Sequence, residues 1–274
     1  MEKREDSILP YKQRDMIEIL VIFFILIFVI AYLFYKHRRS DLEILQLESE
    51  QIPEQLSELL EELQPVVIRG VNPPKGLTRE SLRKIPRLAD FSVGGQPLTD
   101  VLQKPEMLFG AEGAPTLKFS AREQLAKELS INVWADHVWL PVFSQSTWVG
   151  PAVGCMRTEA VLGGLGMTRT TAKYTCIMPT EGKYTLSILS RESESFLPTV
   201  WQYKYPSALT LNDTPLVADL KYIDIVLRPG TTVCLPPHCV ISIEPIKESS
   251  EMFAAVFVEY HEPISLLVKS FSQN

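Results

Sequence analysis

The chain is poor in the residues that build metal and nucleic-acid sites. Its 274 residues include only four cysteines and four histidines. No two cysteines form a Cys-x-x-Cys pair, which excludes a zinc ribbon. Lys and Arg number 27 against 33 acidic residues, so the formal charge is −6. Because binding to a phosphate backbone needs clustered basic side chains, we expect no nucleic-acid partner.

The four cysteines, Cys155, Cys176, Cys234 and Cys239, are expected to be free and mostly buried. A buried thiol packs as a small hydrophobic side chain. A disulfide would become relevant only if the domain lay in an oxidising compartment. The sequence therefore predicts no cross-link on which the fold depends.

One long hydrophobic run lies near the N-terminus. Residues 19–35 read ILVIFFILIFVIAYLFY and carry no charge. The run and its near neighbours approach the ~20 residues that cross a bilayer, so 17–35 is predicted to be a transmembrane helix after an N-terminal tail over 1–16. The basic residues that follow offer no small-residue site for signal-peptide cleavage. The chain is therefore predicted to be a single-pass membrane protein whose first partner is the lipid bilayer.

The side of the membrane on which the rest of the chain lies stays open. Four Lys and Arg residues precede the hydrophobic run and three follow it, and the tighter cluster on the C-terminal side leans slightly towards a cytosolic domain without deciding the topology. The triplet Asn212-Asp213-Thr214 is an N-glycosylation sequon, which matters only in a lumenal domain.

An acidic, leucine-rich segment connects the predicted span to the rest. Residues 36–64 are interpreted as a basic flank and an amphipathic stalk helix, because leucines recur at helical spacing over residues 54–64. The simpler interpretation is a helix that packs on the following domain. The alternative is a helix that binds a protein partner or a second copy of the chain.

Residues 65–274 are predicted to form one domain that is mainly β with flanking helices. Thr78 is a candidate N-cap for a first helix, and Ser120 for a second helix over 122–129. Seven apolar or alternating runs bounded by turn residues predict strands. They are 139–143, 170–178, 184–189, 222–227, 232–235, 240–243 and 252–260.

Three segments resemble the JmjC or cupin-like family. They are residues 65–70 (PVVIRG), residues 148–150 with a later run that contains Gly182-Lys183, and residues 225–237 (IVLRPGTTVCLPP). The third is the most specific, because Pro-Gly turns one strand into the next and Pro-Pro ends that strand. The resemblance implies a double-stranded β-helix, or jelly roll, over residues 65–262.

The resemblance also implies a metal site that this sequence does not reproduce. In the family, two histidines and a carboxylate hold iron, Fe(II), beside the co-substrate 2-oxoglutarate. Carried over onto this chain, the three ligand positions fall on Thr168, Thr170 and Ile241. Hydroxyls and hydrocarbon hold divalent iron poorly, so we expect neither iron nor 2-oxoglutarate as a cofactor.

The remaining candidates for a site are few. Lys183 stands where the family pairs a lysine with the co-substrate carboxylate, so Lys183, Thr168 and Thr170 are ligand-binding candidates. The same Lys183 also suits an ordinary turn. His137, His238 and His261 are weak metal candidates. The aromatic run over 199–205 either lines a ligand mouth or packs as core and rim.

These observations favour a membrane-anchored, non-catalytic binding or scaffold module, with partners at the stalk helix or the barrel surface. Two alternatives stay open. One is an iron- and 2-oxoglutarate-dependent hydroxylase with displaced ligands. The other is a structural membrane protein of a larger assembly.

Overall fold

The computed structural model describes residues 19–29, 43–88, 91–93, 95–104, 117–144, 154–190, 192–246, 252–263 and 265. Contacts divide the chain into two compact units, Met1–Leu42 and Glu43–Asn274. In the first unit, residues 19–29 form a helix, α1. Every side chain of α1 is large and apolar, and each is at least 45% exposed.

The predicted span over 17–35 is only partly described. Residues 17–18 and 30–35 lie outside the described residues. No helix within the described ranges is both long enough and apolar enough to cross a membrane.

The second unit begins before the boundary expected at residue 65. Strand β1 (Leu45–Glu48) pairs in parallel with β2 (Val66–Arg69), and helix α2 (Ile52–Glu61) connects them. Leu56 and Leu60, one turn apart on α2, are fully buried in the domain core. The predicted stalk helix therefore packs on the domain, and the preceding strand β1 belongs to the same sheet as β2.

The helices that follow lie between β2 and the main strands. They are α3 (Arg79–Lys84), α4 (Leu98–Gln103), α5 (Phe119–Glu128), α6 (Ile131–Val138) and α7 (Leu140–Phe143), with a small hairpin of β3 (Ser92–Val93) and β4 (Gln96–Pro97) before α4. Thr78 caps α3 as predicted, since its side chain accepts a hydrogen bond from the Ser81 amide. Ser120 lies inside α5 rather than at its cap.

The strand predicted over 139–143 is wrong. That segment forms α7, directly after α6. Pro141 stands in the first turn of α7, where its missing N–H costs no helical hydrogen bond. Trp139 and Phe143 are four residues apart and stack with ring centroids 5.7 Å apart. Helical spacing thus explains an apolar pattern that also fits a short strand.

Eight further strands complete the two main sheets. They are β5 (Cys155–Leu162), β6 (Leu165–Arg169), β7 (Tyr174–Glu181), β8 (Tyr184–Leu189), β9 (Tyr222–Leu227), β10 (Thr231–Leu235), β11 (Val240–Pro245) and β12 (Ala254–His261). The large sheet has the order β1-β2-β10-β7-β12-β5, and the small sheet has the order β6-β11-β8-β9. From β5 onward the chain moves repeatedly between these two sheets. The protein is therefore mainly β with flanking helices.

The large sheet is covered on both faces. Helices α2 to α7 pack on one face, where Phe143 contacts Tyr174 and Tyr260. All residues of β7 before Glu181 are buried, as expected for a strand enclosed on both sides. The other face meets the small sheet, whose outer side is closed by the long β8–β9 connection through Leu209. The space between the sheets is thus the interior in which a site can form.

The structure corrects the expectation for two of the cysteines. Cys176 and Cys234 are register partners on β7 and β10 and form a disulfide, with their Cα atoms 4.2 Å apart. Cys155 and Cys239 take no part in a disulfide, as predicted, but Cys155 is exposed and Cys239 is half-buried, so the expectation of buried thiols is wrong for Cys155. The pairing depends on strand register between positions 58 residues apart, which the sequence spacing does not reveal.

Candidate functional site

A cavity of about 640 Å³ opens between the large and small sheets. Its volume lies within the range of roughly 300–1,000 Å³ that is usual for small-molecule sites. The lining combines inward side chains of both sheets with α5 and the β8–β9 connection. The lining residues that matter below are Arg122, Glu159, Thr168, Thr175, Trp201 and Glu259.

The positions carried over from the family come together at this cavity. Thr168 on β6 and Ile241 on β11 are register partners, and both line it. Thr170 also lines it, but its hydroxyl donates to the Pro236 carbonyl at 2.8 Å and accepts from the Cys239 amide at 2.9 Å. The Thr170 hydroxyl thus stabilises a turn. Thr168 offers a hydroxyl, and Ile241 offers only hydrocarbon. These residues do not fit an iron centre.

Lys183 lies away from the cavity. It follows Gly182, which has the left-handed φ of +80°, in the turn between β7 and β8. Thr175 lines the cavity at the start of β7, so the length of that strand separates the two residues by roughly 20 Å. Lys183 is not among the described residues that line the cavity.

The neighbour of Lys183 fills the interior at that far end. Tyr184 is fully buried, and its hydroxyl donates to the Gly163 carbonyl at 3.0 Å. Its ring meets Phe253 edge to face. Burial raises the pKa of Tyr184 well above its ordinary value, so the phenol stays neutral. Tyr184, rather than Lys183, therefore occupies the interior at that end.

The three histidine candidates lie in different places. His137 is exposed in the last turn of α6. His238 lies in the β10–β11 turn with a left-handed φ of +64°, and its amide donates to the Thr170 carbonyl. His261 is fully buried and hydrogen-bonds Glu259 at 2.9 Å. Within the described ranges, no three His, Cys, Asp or Glu side chains gather as metal ligands.

The charged groups of the cavity were missed at the level of sequence. Arg122 reaches from α5 to Glu159 on β5, with Nη1 and Oε2 3.0 Å apart and both side chains less than 10% exposed. Glu259 projects from the neighbouring strand β12. Because β5 was not predicted, Glu159 had no assigned face. A strand predicted at β5 would have assigned Glu159 to one face of the sheet, because side chains alternate along a strand.

Two buried polar atoms at the cavity lack hydrogen-bond partners among the described residues. They are Nε of Arg122 and Oγ1 of Thr175, on side chains that belong to residues 8% and 2% exposed. Thr175 is the register partner of Glu259, so its hydroxyl lies beside a carboxylate. Buried polar groups in folded proteins are almost always satisfied by protein, water or ligand. Both atoms are covered by their surroundings, so a molecule in the cavity does not reach them in this arrangement.

An aromatic segment forms one wall of the cavity. Trp201, Gln202 and Tyr203 line it, and this segment pairs with β6 through hydrogen bonds between Met167 and both Tyr203 and Lys204. Gly166 permits the close approach, because a Cβ there would lie 2.2 Å from the Tyr203 carbonyl oxygen. Tyr203 adopts a left-handed φ of +64°, a conformation that L side chains rarely take.

An ion pair fixes the same segment from outside. Lys204 Nζ lies 2.6 Å from Asp213 Oδ1. The Lys204 ammonium, with donors from Thr210, lowers the pKa of Asp213 to about 2. Burial raises the pKa of the nearby Tyr205 phenol to about 12. At neutral pH the Lys204–Asp213 pair is therefore charged, and the Tyr205 phenol is neutral.

The chain was compared with models of protein families and with curated proteins. Neither comparison finds a match for it. The functional argument therefore depends on the geometry and chemistry of the cavity.

Proposed function

We propose that this protein is a membrane-anchored, metal-free double-stranded β-helix of the JmjC or cupin-like kind, and that it binds a small ligand in its cavity without catalysis. The observation that carries the proposal is the register pair Thr168–Ile241. The two residues pair across β6 and β11 and line the cavity. The resemblance assigns iron ligands to both positions, and a hydroxyl and a hydrocarbon hold iron poorly, which supports a metal-free site.

The strand order supports the fold assignment. Strands β5, β7, β10 and β12 belong to the large sheet, and β6, β8, β9 and β11 belong to the small sheet. Eight strands shared between two facing sheets in this way are typical of the jelly rolls that include cupins.

The anchor is supported by sequence and by exposure. Residues 19–35 carry no charge, and the described helix α1 presents only large apolar side chains to its surroundings. A contiguous apolar surface of this kind needs a membrane or a protein to cover it. Of these, the bilayer best fits a run of uniform Ile, Leu, Phe and Val.

Binding is supported by the cavity itself. It is large enough for a small molecule, and charged, hydroxyl and aromatic side chains line it together. A cavity that served only as packing would be filled with apolar side chains, as at the Tyr184 end of the same interior.

The first test is metal content. The full-length chain, purified in detergent and incubated with Fe(II) or Mn(II), is expected to carry no stoichiometric metal after desalting. One ion per chain, measured by mass spectrometry of the metal, would restore the displaced-ligand hydroxylase and overturn the proposal.

The second test fills the cavity. Thr168→Phe places a ring inside it while leaving the helix-covered face of the large sheet untouched. Small molecules that bind the wild-type chain in saturation-transfer NMR are expected to lose binding in this variant, with unfolding by urea as the check of folding. Binding that persists in a folded Thr168→Phe chain would place the ligand elsewhere and contradict the proposal.

A further inference from the structure

The disulfide and the sequon Asn212-Asp213-Thr214 point to the same side of the membrane. We infer that the domain faces an oxidising, extracytosolic compartment and that Asn212 carries an N-linked glycan there. The inference goes beyond the proposed function, and it rests on the membrane anchor of that proposal. It is carried by the buried disulfide, by the place of Asn212 in the fold and by the contact that Thr214 makes.

The disulfide constrains the compartment. Cys176 and Cys234 are register partners, and each residue is at most 1% exposed. Joining two thiols releases two protons and two electrons, which the disulfide of an oxidised thiol oxidoreductase takes up. Such bonds form and persist in secretory and periplasmic compartments, whereas the thiol reductants of the cytosol make them rare there. A domain that holds this bond is therefore expected on the extracytosolic side.

The charges that flank the hydrophobic run permit this orientation. Four Lys and Arg residues precede the run and three follow it. With the N-terminal tail in the cytosol, the larger number lies on the side that basic residues favour. The tighter cluster after the run favours the opposite orientation, but a difference this small does not fix topology. The disulfide is the stronger constraint of the two.

Asn212 lies where the fold can accommodate a glycan. Its triplet is the one Asn-x-Ser/Thr sequon in the 274 residues of the chain. Asn212 is exposed in a turn of the β8–β9 connection, and the preceding Leu211 is 71% exposed. An N-linked glycan is bulky and solubilising. At this position it extends into solvent and covers apolar surface without displacing a packed side chain.

Thr214 indicates when the glycan is attached. Its hydroxyl donates to the Phe196 carbonyl at 3.0 Å, and the residue is 7% exposed. The transferring enzyme recognises this hydroxyl as part of the acceptor triplet. The transfer must therefore precede the folding of this segment, while the chain enters the compartment. After folding, the same hydroxyl holds the turn that presents Asn212 to solvent.

The transfer step uses a donor of the compartment's membrane, an oligosaccharide linked to a lipid diphosphate. The side-chain nitrogen of Asn212 forms a bond to the anomeric carbon of the first sugar. The bond between that carbon and the diphosphate oxygen breaks, and the lipid diphosphate leaves with the electron pair. One proton of the amide is released. No oxidant or reductant takes part in this step.

The first test translates the full-length chain in the presence of microsomes derived from the endoplasmic reticulum. The wild-type chain is expected to migrate more slowly in denaturing electrophoresis, and an amidase that removes N-linked glycans should abolish the shift. Asn212→Gln should show no shift. Thr214→Ser keeps a hydroxyl in the triplet, so this matched control should still be modified.

A second acceptor separates the site from the side of the membrane. Lys118 is exposed at the N-cap of α5, and Phe119 and Ser120 follow it. Lys118→Asn creates an acceptor triplet there, and asparagine is a favoured N-cap residue, so the fold should tolerate the change. In the Asn212→Gln background, Lys118→Asn is expected to restore one glycan.

The outcomes separate the site from the compartment. Modification of the Lys118→Asn/Asn212→Gln chain without modification of the wild type overturns the glycan at Asn212. If neither chain is modified by microsomes that glycosylate a secreted control protein, the domain faces the cytosol and the whole inference is overturned.

Two further measurements test the disulfide and the anchor. In the denatured, microsome-imported chain, two of the four cysteines should react with a maleimide before reduction and all four afterwards. Four reactive thiols before reduction would contradict the oxidising compartment. Release of the chain by alkaline carbonate would overturn the anchor, and with it the proposed function, whether or not Asn212 is modified.

Discussion

The two faces of the large sheet differ in what their side chains contact. On β7 and β12, Cys176 and Val258 pack against the helices, whereas their chain neighbours Thr175 and Glu259 line the cavity. Successive side chains of a strand point to opposite faces of the sheet, so two adjacent residues can lie in the apolar core and in the polar cavity. The helix face resembles the interior of any stable domain, and the cavity face carries buried charges that stability alone does not require. The comparison indicates that substitutions on one face of the large sheet can be made without altering the other face.

The largest expected effect comes from truncating the helix face. Phe143→Ala removes a ring that is fully buried against Trp139, Tyr174 and Tyr260, so the free energy of unfolding should fall by about 3–5 kcal/mol. Phe257→Ala on the cavity face should cost clearly less, because that ring already borders open space. Urea unfolding measures both. Equal losses would remove the distinction between the faces.

The disulfide should rank next. Replacing Cys176 and Cys234 together by Ser releases a cross-link that closes a 58-residue separation, and should lower the free energy of unfolding by about 2–4 kcal/mol. The single replacement Cys155→Ser, at an exposed thiol outside the disulfide, serves as the control and should change it by less than about 0.5 kcal/mol. A double variant as stable as the wild type in oxidising buffer would show that the bond does not form.

A third change tests whether the cavity face retains the geometry of a metal site. In Thr168→His/Ile241→His, the two imidazoles start from Cβ atoms about 4.5–5.5 Å apart, close enough to share one Zn²⁺. Zn²⁺ at 100 times its dissociation constant should then stabilise this variant by about 2.7 kcal/mol. The two single variants are the controls. Equal stabilisation of either one would mean that the ion binds elsewhere.

The smallest effect concerns the aromatic segment and depends on pH. The pKa of Asp213 is lowered from 3.8 to about 2, so its pair with Lys204 contributes stability above pH 3.8 and loses it as the pH falls towards 2. Asp213→Asn should therefore be less stable than the wild type at pH 6, and the difference should shrink as the pH falls through about 2. Urea unfolding across this range measures it. Lys204→Gln should give the same profile, and a difference independent of pH would exclude the ion pair as the cause.

The sequence predicted the fold best where local pattern and final environment agree. Strands β8 and β9 have the predicted bounds because apolar runs there end at clear turn residues. Strand β5 was missed because it is an edge strand whose inward positions include Arg157 and Glu159, which interrupt the hydrophobic alternation. Helix α7 was mistaken for a strand because five apolar residues fit either period.

The site was only partly accessible to sequence reasoning. The resemblance brought Thr168, Thr170 and Ile241 together, and the structure places all three at one cavity. The role of Arg122 in the cavity could not be predicted, because the sequence does not show that α5 packs over the edge strand β5. The same holds for the register that joins Cys176 to Cys234.

The aromatic wall belongs to a connection, and this has a consequence for how the protein can diverge. Trp201 and Tyr203 lie in the long segment between β8 and β9, and backbone bonds to Met167 hold that segment against β6. Backbone bonds do not depend on side-chain identity. Insertions and substitutions in this segment can therefore reshape the cavity wall while the sequence of the two sheets stays constant, as long as position 166 remains glycine.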